Sequence, residues 1–285
     1  MIFVHDKGQM CNNILQYAHV FAWARENNRR TVSMRFAYKY QYFHICDTPY
    51  HNFLMYLIGK YGGKMKLLPT VHYDMSQEGR AEKNQFVLSH RHVIMEGWGL
   101  RYYDLVMKHL DEIRKLFAFK PEIEEKLPFP QGGEGSGEWL RIGVHIRRGD
   151  YRTFMNGRFY FDDDAFIQYI KETIRLFADG KDVEVYICGN DPNLDKQKYI
   201  DALQSTSQKE QGRVEIYFPE GNPGEDLCLL SHCDYIIGPP SSFSLIATMY
   251  RDNKLCWMTH DRATITAEDF KTFDQNFCIF DDYFK

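Results

Sequence analysis

The sequence predicts an α/β protein of two domains, each a parallel sheet flanked by helices. Three observations predict it. Short apolar runs alternate with segments whose apolar residues recur every three or four positions. The 285 residues exceed the usual size of one hydrophobic core. Residues 131–137, Gln131-Gly132-Gly133-Glu134-Gly135-Ser136-Gly137, follow Pro128 and Pro130 and read as a flexible connection. The expected division is a first domain over 1–130, a linker over 131–137 and a second domain over 138–285.

The first half opens with Ile2 to His5, a buried strand, and a turn at Asp6-Lys7-Gly8-Gln9. Ile14, Tyr17, Ala18, Phe21 and Ala22 then mark a helix, and Thr31 to Met34 the next strand. Residues 35–100 are weakly patterned, with a short helix expected over Asn52 to Ile58 and a strand over Val93 to Trp98. Tyr102, Val106, Leu110, Ile113 and Phe117 form one apolar helix face. The second half alternates more clearly. Strands are expected over Trp139 to Ile146, Val183 to Cys188, Val214 to Phe218, Tyr235 to Ile237 and Leu255 to Met258. Helices are expected around Phe166 to Phe177, Leu194 to Leu203, Leu227 to Ser231 and from Phe243. That half reads as a Rossmann-like β/α domain.

Composition narrows the function classes. Apolar residues make up 44% and charged residues 26%, which is ordinary for a globular chain. A net charge of −4 leaves no bulk basic surface for nucleic acid, so an anionic ligand needs a local cluster. The 15% aromatic content fits large cores and equally a cleft that stacks on sugar rings. Seven Cys without a C-x-x-C pair read as buried thiols of a reducing compartment. Met1 to Asp6 has no signal-peptide pattern, and no stretch reaches the roughly 20 apolar residues of a membrane helix. A cytoplasmic location is the expectation, with association at a membrane surface left open.

Ligands of open α/β sheets bind at the carboxyl ends of the strands, and three loops expected there carry unusual residues. His145-Ile146-Arg147-Arg148-Gly149-Asp150-Tyr151 places two guanidiniums at a strand end, where an anion or a carboxylate must compensate them. Asp150 could orient an arginine or act as an acid/base group. Gly189-Asn190-Asp191-Pro192 is explained by an Asx turn, or by amide and carboxylate recognition of a nucleotide base, through Asn190 and Asp191. Gly238-Pro239-Pro240-Ser241-Ser242-Phe243-Ser244 offers Ser241, Ser242 and the backbone at Phe243 as an anion site, or a plain serine cap. In the first half, Gly8 to Asn13 is explained by a plain βα turn, or by a functional loop that would face the second domain across a cleft. Asp162-Asp163-Asp164 contains a D-x-D, a metal pattern in some glycosyltransferases, but it stands where a helix begins and acids cap well. His90-Arg91-His92 lacks a third ligand at a recognisable spacing.

The segment His145-x-Arg147-Arg148-Gly149-Asp150-Tyr151 matches the H-x-R-R-G-D motif of α-1,2-fucosyltransferases, glycosyltransferase family 11. Asn12-Asn13-Ile14-Leu15-Gln16-Tyr17-Ala18 resembles that family's G-N-Q-M-F-Q-Y-A signature, and Ser241-Ser242-Phe243-Ser244 its later S-S-F-S segment. Cys11 stands where the signature has Gly before Asn12, and residues 35–100 match no motif. The resemblance implies a GT-B fold of two Rossmann-like domains, a GDP-fucose donor, inversion at the fucose carbon and no essential metal or other cofactor. It implies that Arg147 and Arg148 grip the donor phosphates, that His145 and Asp191 lie near guanine, and that Ser241 and Ser242 approach the diphosphate. Gly8, Asn12, Asn190 and Phe243 complete the expected donor-binding set, with Arg147, Arg148 and Asp150 the catalytic one. Asp150 is the first candidate base and His5 the second. The expected acceptor is an oligosaccharide or glycolipid hydroxyl, with α-1,2 transfer to galactose. A transferase of another nucleotide sugar, a non-catalytic glycan-binding scaffold and a metal-dependent D-x-D enzyme are the alternatives.

Overall fold

The computed structural model describes residues 1–76, 78–129, 139–189, 191–204, 212–262 and 264–285. The chain separates into two compact units, Met1–Pro121 and Glu122–Lys285.

In the first unit, β1 (Ile2–His5) leads into α1 (Met10–Glu26), followed by β2 (Thr31–Ser33) and α2 (Phe53–Lys64). Then come β3 (Thr70–His72), α3 (Arg80–Ser89), β4 (Val93–Glu96), α4 (Tyr103–Lys108) and α5 (Leu110–Leu116). The four strands form one parallel sheet in the order β2-β1-β4-β3. The single helix expected over Tyr102 to Phe117 is two helices. His109 leaves helical geometry between them, its ring held between Glu26 (2.6 Å) and Glu112 (3.1 Å). Periodicity missed β3 and α3 because each buries one side chain, Val71 and Val87. Helix α2 runs six residues past Ile58 despite three glycines. Those glycines let it lie close on the sheet: a Cβ at Gly59 would sit 2.9 Å from Phe3 and one at Gly63 2.6 Å from Ile94.

The second unit begins with most of α6 (Pro121–Glu124). It continues through β5 (Trp139–Ile146), α7 (Asp163–Phe177), β6 (Asp182–Gly189), α8 (Lys196–Gln204), β7 (Val214–Tyr217) and α9 (Pro223–Ser231). It ends with β8 (Tyr235–Gly238), α10 (Ser242–Ala247), β9 (Lys254–Trp257) and α11 (Phe273–Ile279). Its sheet is parallel throughout, ordered β7-β6-β5-β8-β9. This unit starts ahead of the Gly-rich segment, which lies outside the described residues. Phe129 is the reason: its ring packs on Tyr186 and under the Arg141 guanidinium, 4.2 Å away.

Helix starts follow the capping residues. Asp162 accepts from Ala165 N at 2.9 Å, so the acidic run does begin α7. Asn222 and Glu225 form a capping box on α9, with Pro223 in the first turn. Along β5, Leu140, Ile142, Val144 and Ile146 point to one face, into a core with Phe166, Ile170 and Ile174 of α7 and Val185 and Ile187 of β6. On the other face Gly143 admits α9: a Cβ there would lie 2.7 Å from Leu230. Both faces are buried, as parallel sheets require. Of the seven thiols six are buried, whereas Cys278 is exposed because it stands on the outer side of α11.

Candidate active site

Strand β5 lies between β6 and β8, so the loops after these three strands meet at one sheet edge. The contacts confirm the meeting. Arg148 Nη1 donates to Asp191 Oδ2 at 3.2 Å, joining the loops after β5 and β6. Tyr151 OH donates to the Pro240 carbonyl at 2.6 Å, joining those after β5 and β8. His145, Arg147, Arg148, Asp150, Asp191, Ser241, Ser242 and Phe243 thus share one edge. Asn190 lies outside the described residues.

The two arginines have different surroundings. Arg148 is 7% exposed along its side chain. It donates from Nε to the Phe161 carbonyl (2.9 Å), from Nη1 to Asp191 and from Nη2 to Asp163 (2.5 Å), with Tyr199 OH also donating to Asp163 at 2.9 Å. This is a buried charge matched by carboxylates. Arg147 is more open. It donates to both oxygens of Asp150, at 3.2 and 2.8 Å, and lies 4.6 Å over the Tyr151 ring. Asp150 itself is 64% exposed. The Arg147 guanidinium holds the Asp150 carboxyl below its ordinary range, which weakens it as a base.

His145 is buried, 2.9 Å from Ser244 Oγ and stacked on Phe243 with ring centres 4.7 Å apart. Burial, assisted by Arg147, pushes its pKa down to about 3, so the ring is neutral at physiological pH. Ser241 caps α10, accepting from Ser244 N at 3.2 Å, and its Oγ lies 3.0 Å from Ser244 Oγ. Asp191 accepts from Asn193 N at 2.9 Å in an Asx turn, so its carboxylate already serves the backbone and Arg148. The D-x-D carboxylates have protein partners: Asp162 caps α7, Asp163 binds Arg148 and Asp164 pairs with Lys198 at 2.7 Å.

One feature of this edge escaped the sequence reading. A cavity of ≈ 330 Å³ opens between the end of β7 and the start of α9, lined by Tyr186, Tyr217, Phe218, Gly221, Asp226 and the Lys126 to Pro128 segment among others. Burial raises the Asp226 carboxyl to about 7, and its Oδ1 has no hydrogen-bond partner among the described residues. Lys126 pairs with Glu225 at 2.5 Å beside it. The only sequence signal was Glu225-Asp226 in the first turn of a helix, which helix capping explains equally well.

In the first unit, Gly8 and Asn12 follow the carboxyl end of β1. Gly8 has φ +89, open to glycine at little cost. Gln16 clasps this loop, donating to Lys7 O (2.6 Å) and Asn12 O (3.0 Å) and accepting from Lys7 N (3.2 Å). His5, Lys7 and His72 gather around Glu96: His5 Nδ1 lies 2.8 Å from one carboxylate oxygen, Lys7 Nζ 3.4 Å from the same oxygen, and His72 Nδ1 3.4 Å from the other.

A parallel α/β fold with this loop set at a strand-end edge is that of the GT-B-type glycosyltransferases. Two solved structures share it at low identity. A mutant of Arabidopsis thaliana FUT1 in complex with GDP is 12% identical, with a TM-score of 0.62 over 95% of this chain and 73% of that chain. POFUT1 in complex with GDP-fucose is 13% identical, with a TM-score of 0.51 over 88% of this chain and 94% of that chain. The family model for glycosyl transferase family 11 matches residues 108–277, more than half of the chain, and the protein belongs to that family. No curated protein matches the sequence significantly.

Proposed function

We propose that the protein is an inverting fucosyltransferase that moves L-fucose from GDP-fucose to a hydroxyl of an oligosaccharide or glycolipid, with α-1,2 transfer to galactose the favoured linkage. The observation that carries this reading is Arg147: a half-open guanidinium, paired with an exposed carboxylate, at the edge shared by the loops after β5 and β8, in a member of family 11. Structural neighbours solved with GDP and GDP-fucose support the donor assignment.

In this reading Arg147 exchanges Asp150 for the diphosphate. As the bond between the fucose carbon and the β-phosphate oxygen breaks, the guanidinium stabilises the charge developing on GDP. The loop of Ser241 and Ser242 lies beside the same oxygens. Arg148 acts at one remove, tying the loops after β5 and β6 together through Asp163 and Asp191. The cavity by Asp226 takes the base. Guanine presents an N–H and an amino group side by side, and an unpaired carboxylate oxygen in a mostly apolar pocket suits them. The acceptor hydroxyl attacks the fucose carbon and releases its proton. Asp150, released when Arg147 turns to the diphosphate, is the candidate base.

The test is GDP release from GDP-fucose against galactose-terminated acceptors, with other nucleotide sugars alongside. Release that requires both GDP-fucose and an acceptor supports the reading, and product NMR then gives the linkage. Release with another sugar nucleotide but not GDP-fucose refutes the donor. Absence of GDP binding refutes the phosphate grip.

A further inference from the structure

We propose that α2 is a membrane-docking surface, which lays an outward apolar stripe into the interface of an anionic lipid bilayer. The inference is independent of the donor and the reaction.

Helix α2 turns a broad apolar face outward as well as packing on the sheet. Gly59 is its only fully buried residue, and its glycines seat it on a small core of Phe3, Val32, Met34 and Ile94. Met55 and Tyr56 pack against that core, while other large side chains face solvent. Leu54, Ile58, Tyr61 and Met65 recur at i, i+4, i+7 and i+11, one stripe of a 3.6-residue helix, and are 66, 44, 49 and 65% exposed. Phe53 and Leu67 extend the patch at either end, with exposures of 59 and 71%. A contiguous apolar surface of this kind marks an interaction site.

Charge identifies the partner. Residues 48–73 contain Lys60, Lys64 and Lys66 and no Asp or Glu, in a chain whose net charge is −4. The acids that bracket the stretch are engaged elsewhere, Asp47 with Lys120 (2.7 Å) and Asp74 with Lys83 (3.3 Å). Lys60 and Lys64 flank the stripe on one side, where their stems can lie along apolar surface while the ammonium groups stay in the headgroup layer. Tyr38, its ring tilted 37° to that of Tyr56 with centres 4.2 Å apart, and Tyr61 add rings suited to that layer. A second copy of the chain would bring the same lysines face to face, whereas an anionic bilayer satisfies stripe and charge together. No helix among the described residues is long and apolar enough to cross a membrane, so α2 would lie on the surface.

The experiment is flotation of the full-length protein with neutral phosphatidylcholine vesicles and with vesicles containing roughly one-third phosphatidylglycerol, at low and high salt. At about fivefold per lysine near the surface, the anionic vesicles should bind about a hundredfold more tightly than neutral ones, and salt should reduce the difference. The Leu54→Glu, Ile58→Glu double variant should lose binding by tenfold or more with an unchanged circular dichroism spectrum and melting temperature, since both residues are exposed. Lys60→Glu with Lys64→Glu should remove the preference for anionic lipid. No binding to anionic vesicles, or binding unaffected by the Leu54 and Ile58 changes, overturns the proposal. So does a stable dimer in light scattering that those same changes dissociate, because a second copy would then cover the stripe.

Discussion

Replacing each arginine of the Arg147-Arg148 pair with Ala should separate stability from turnover. Arg148 is 7% exposed, and Asp163 and Asp191, which it pairs, are 16 and 13% exposed. Its removal strands buried carboxylates, which costs about 3–5 kcal/mol. For a domain of 150 to 250 residues that is a fall in melting temperature of about 6–20 °C. Arg148→Lys should recover part of it, because an ammonium keeps the charge but cannot reach three acceptors in one plane. Arg147 pairs with a carboxylate that is 64% exposed, a contact worth less than about 1 kcal/mol, so Arg147→Ala should shift the melt by under about 4 °C. Its cost falls on the transition state instead, about 10²–10³-fold in kcat for one lost donor to the leaving group. Thermal melts by circular dichroism and GDP-release kinetics on the same preparations read both quantities. The reasoning fails if Arg148→Ala melts within about 2 °C of the parent, or if Arg147→Ala keeps kcat/KM within about tenfold.

Three further outcomes follow from the same geometry. Asp226 carries a raised pKa of about 7 against an ordinary 3.8, so the folded chain holds a proton that the unfolded chain releases. Stability should therefore fall as pH rises from about 4 to 7, and guanosine affinity should rise through about 7 as the acceptor oxygens ionise; pH-resolved denaturation and calorimetry of Asp226→Asn should show both slopes flattened. GDP release should be unchanged by EDTA in a direct assay, because Asp162, Asp163 and Asp164 are bound by α7, Arg148 and Lys198; loss with EDTA and recovery with Mn²⁺ would contradict this. Gly189→Ala would place a Cβ 2.5 Å from the Ile146 carbonyl oxygen, forcing apart the ends of β5 and β6; a stability lowered by about 1–3 kcal/mol in denaturant titration and weaker GDP binding are expected, and unchanged titrations would argue against that edge.

Most strands were legible in the sequence because buried parallel strands are nearly uninterrupted apolar runs, as from Ile2 to His5 and from Trp139 to Ile146. Helix α7 was legible by its strong apolar face, and α1 by its many apolar residues, which are buried on nearly every side. Segments that bury one side chain, β3 and α3, were not, since one residue makes no period. The break at His109 was also invisible, because it depends on Glu26, far away in the chain.

The site divides along the same line. Sequence by itself determined which polar loops would stand at strand ends: residue type and order place His145 to Tyr151, Asp191 and Ser241 to Phe243 after strands, and strand order brings them to one edge. Tertiary structure alone decided what each group faces. Two adjacent arginines of identical chemistry became a buried tie and a half-open cation because only Arg148 meets Asp163 and Asp191. Asp226, an unremarked acid in a helix's first turn, became a carboxyl with an unpaired oxygen beside a cavity because β7 and α9 close around it. Local sequence specifies backbone preference and residue chemistry; desolvation and charge pairing depend on contacts tens of residues apart, and these exist only once the chain has folded.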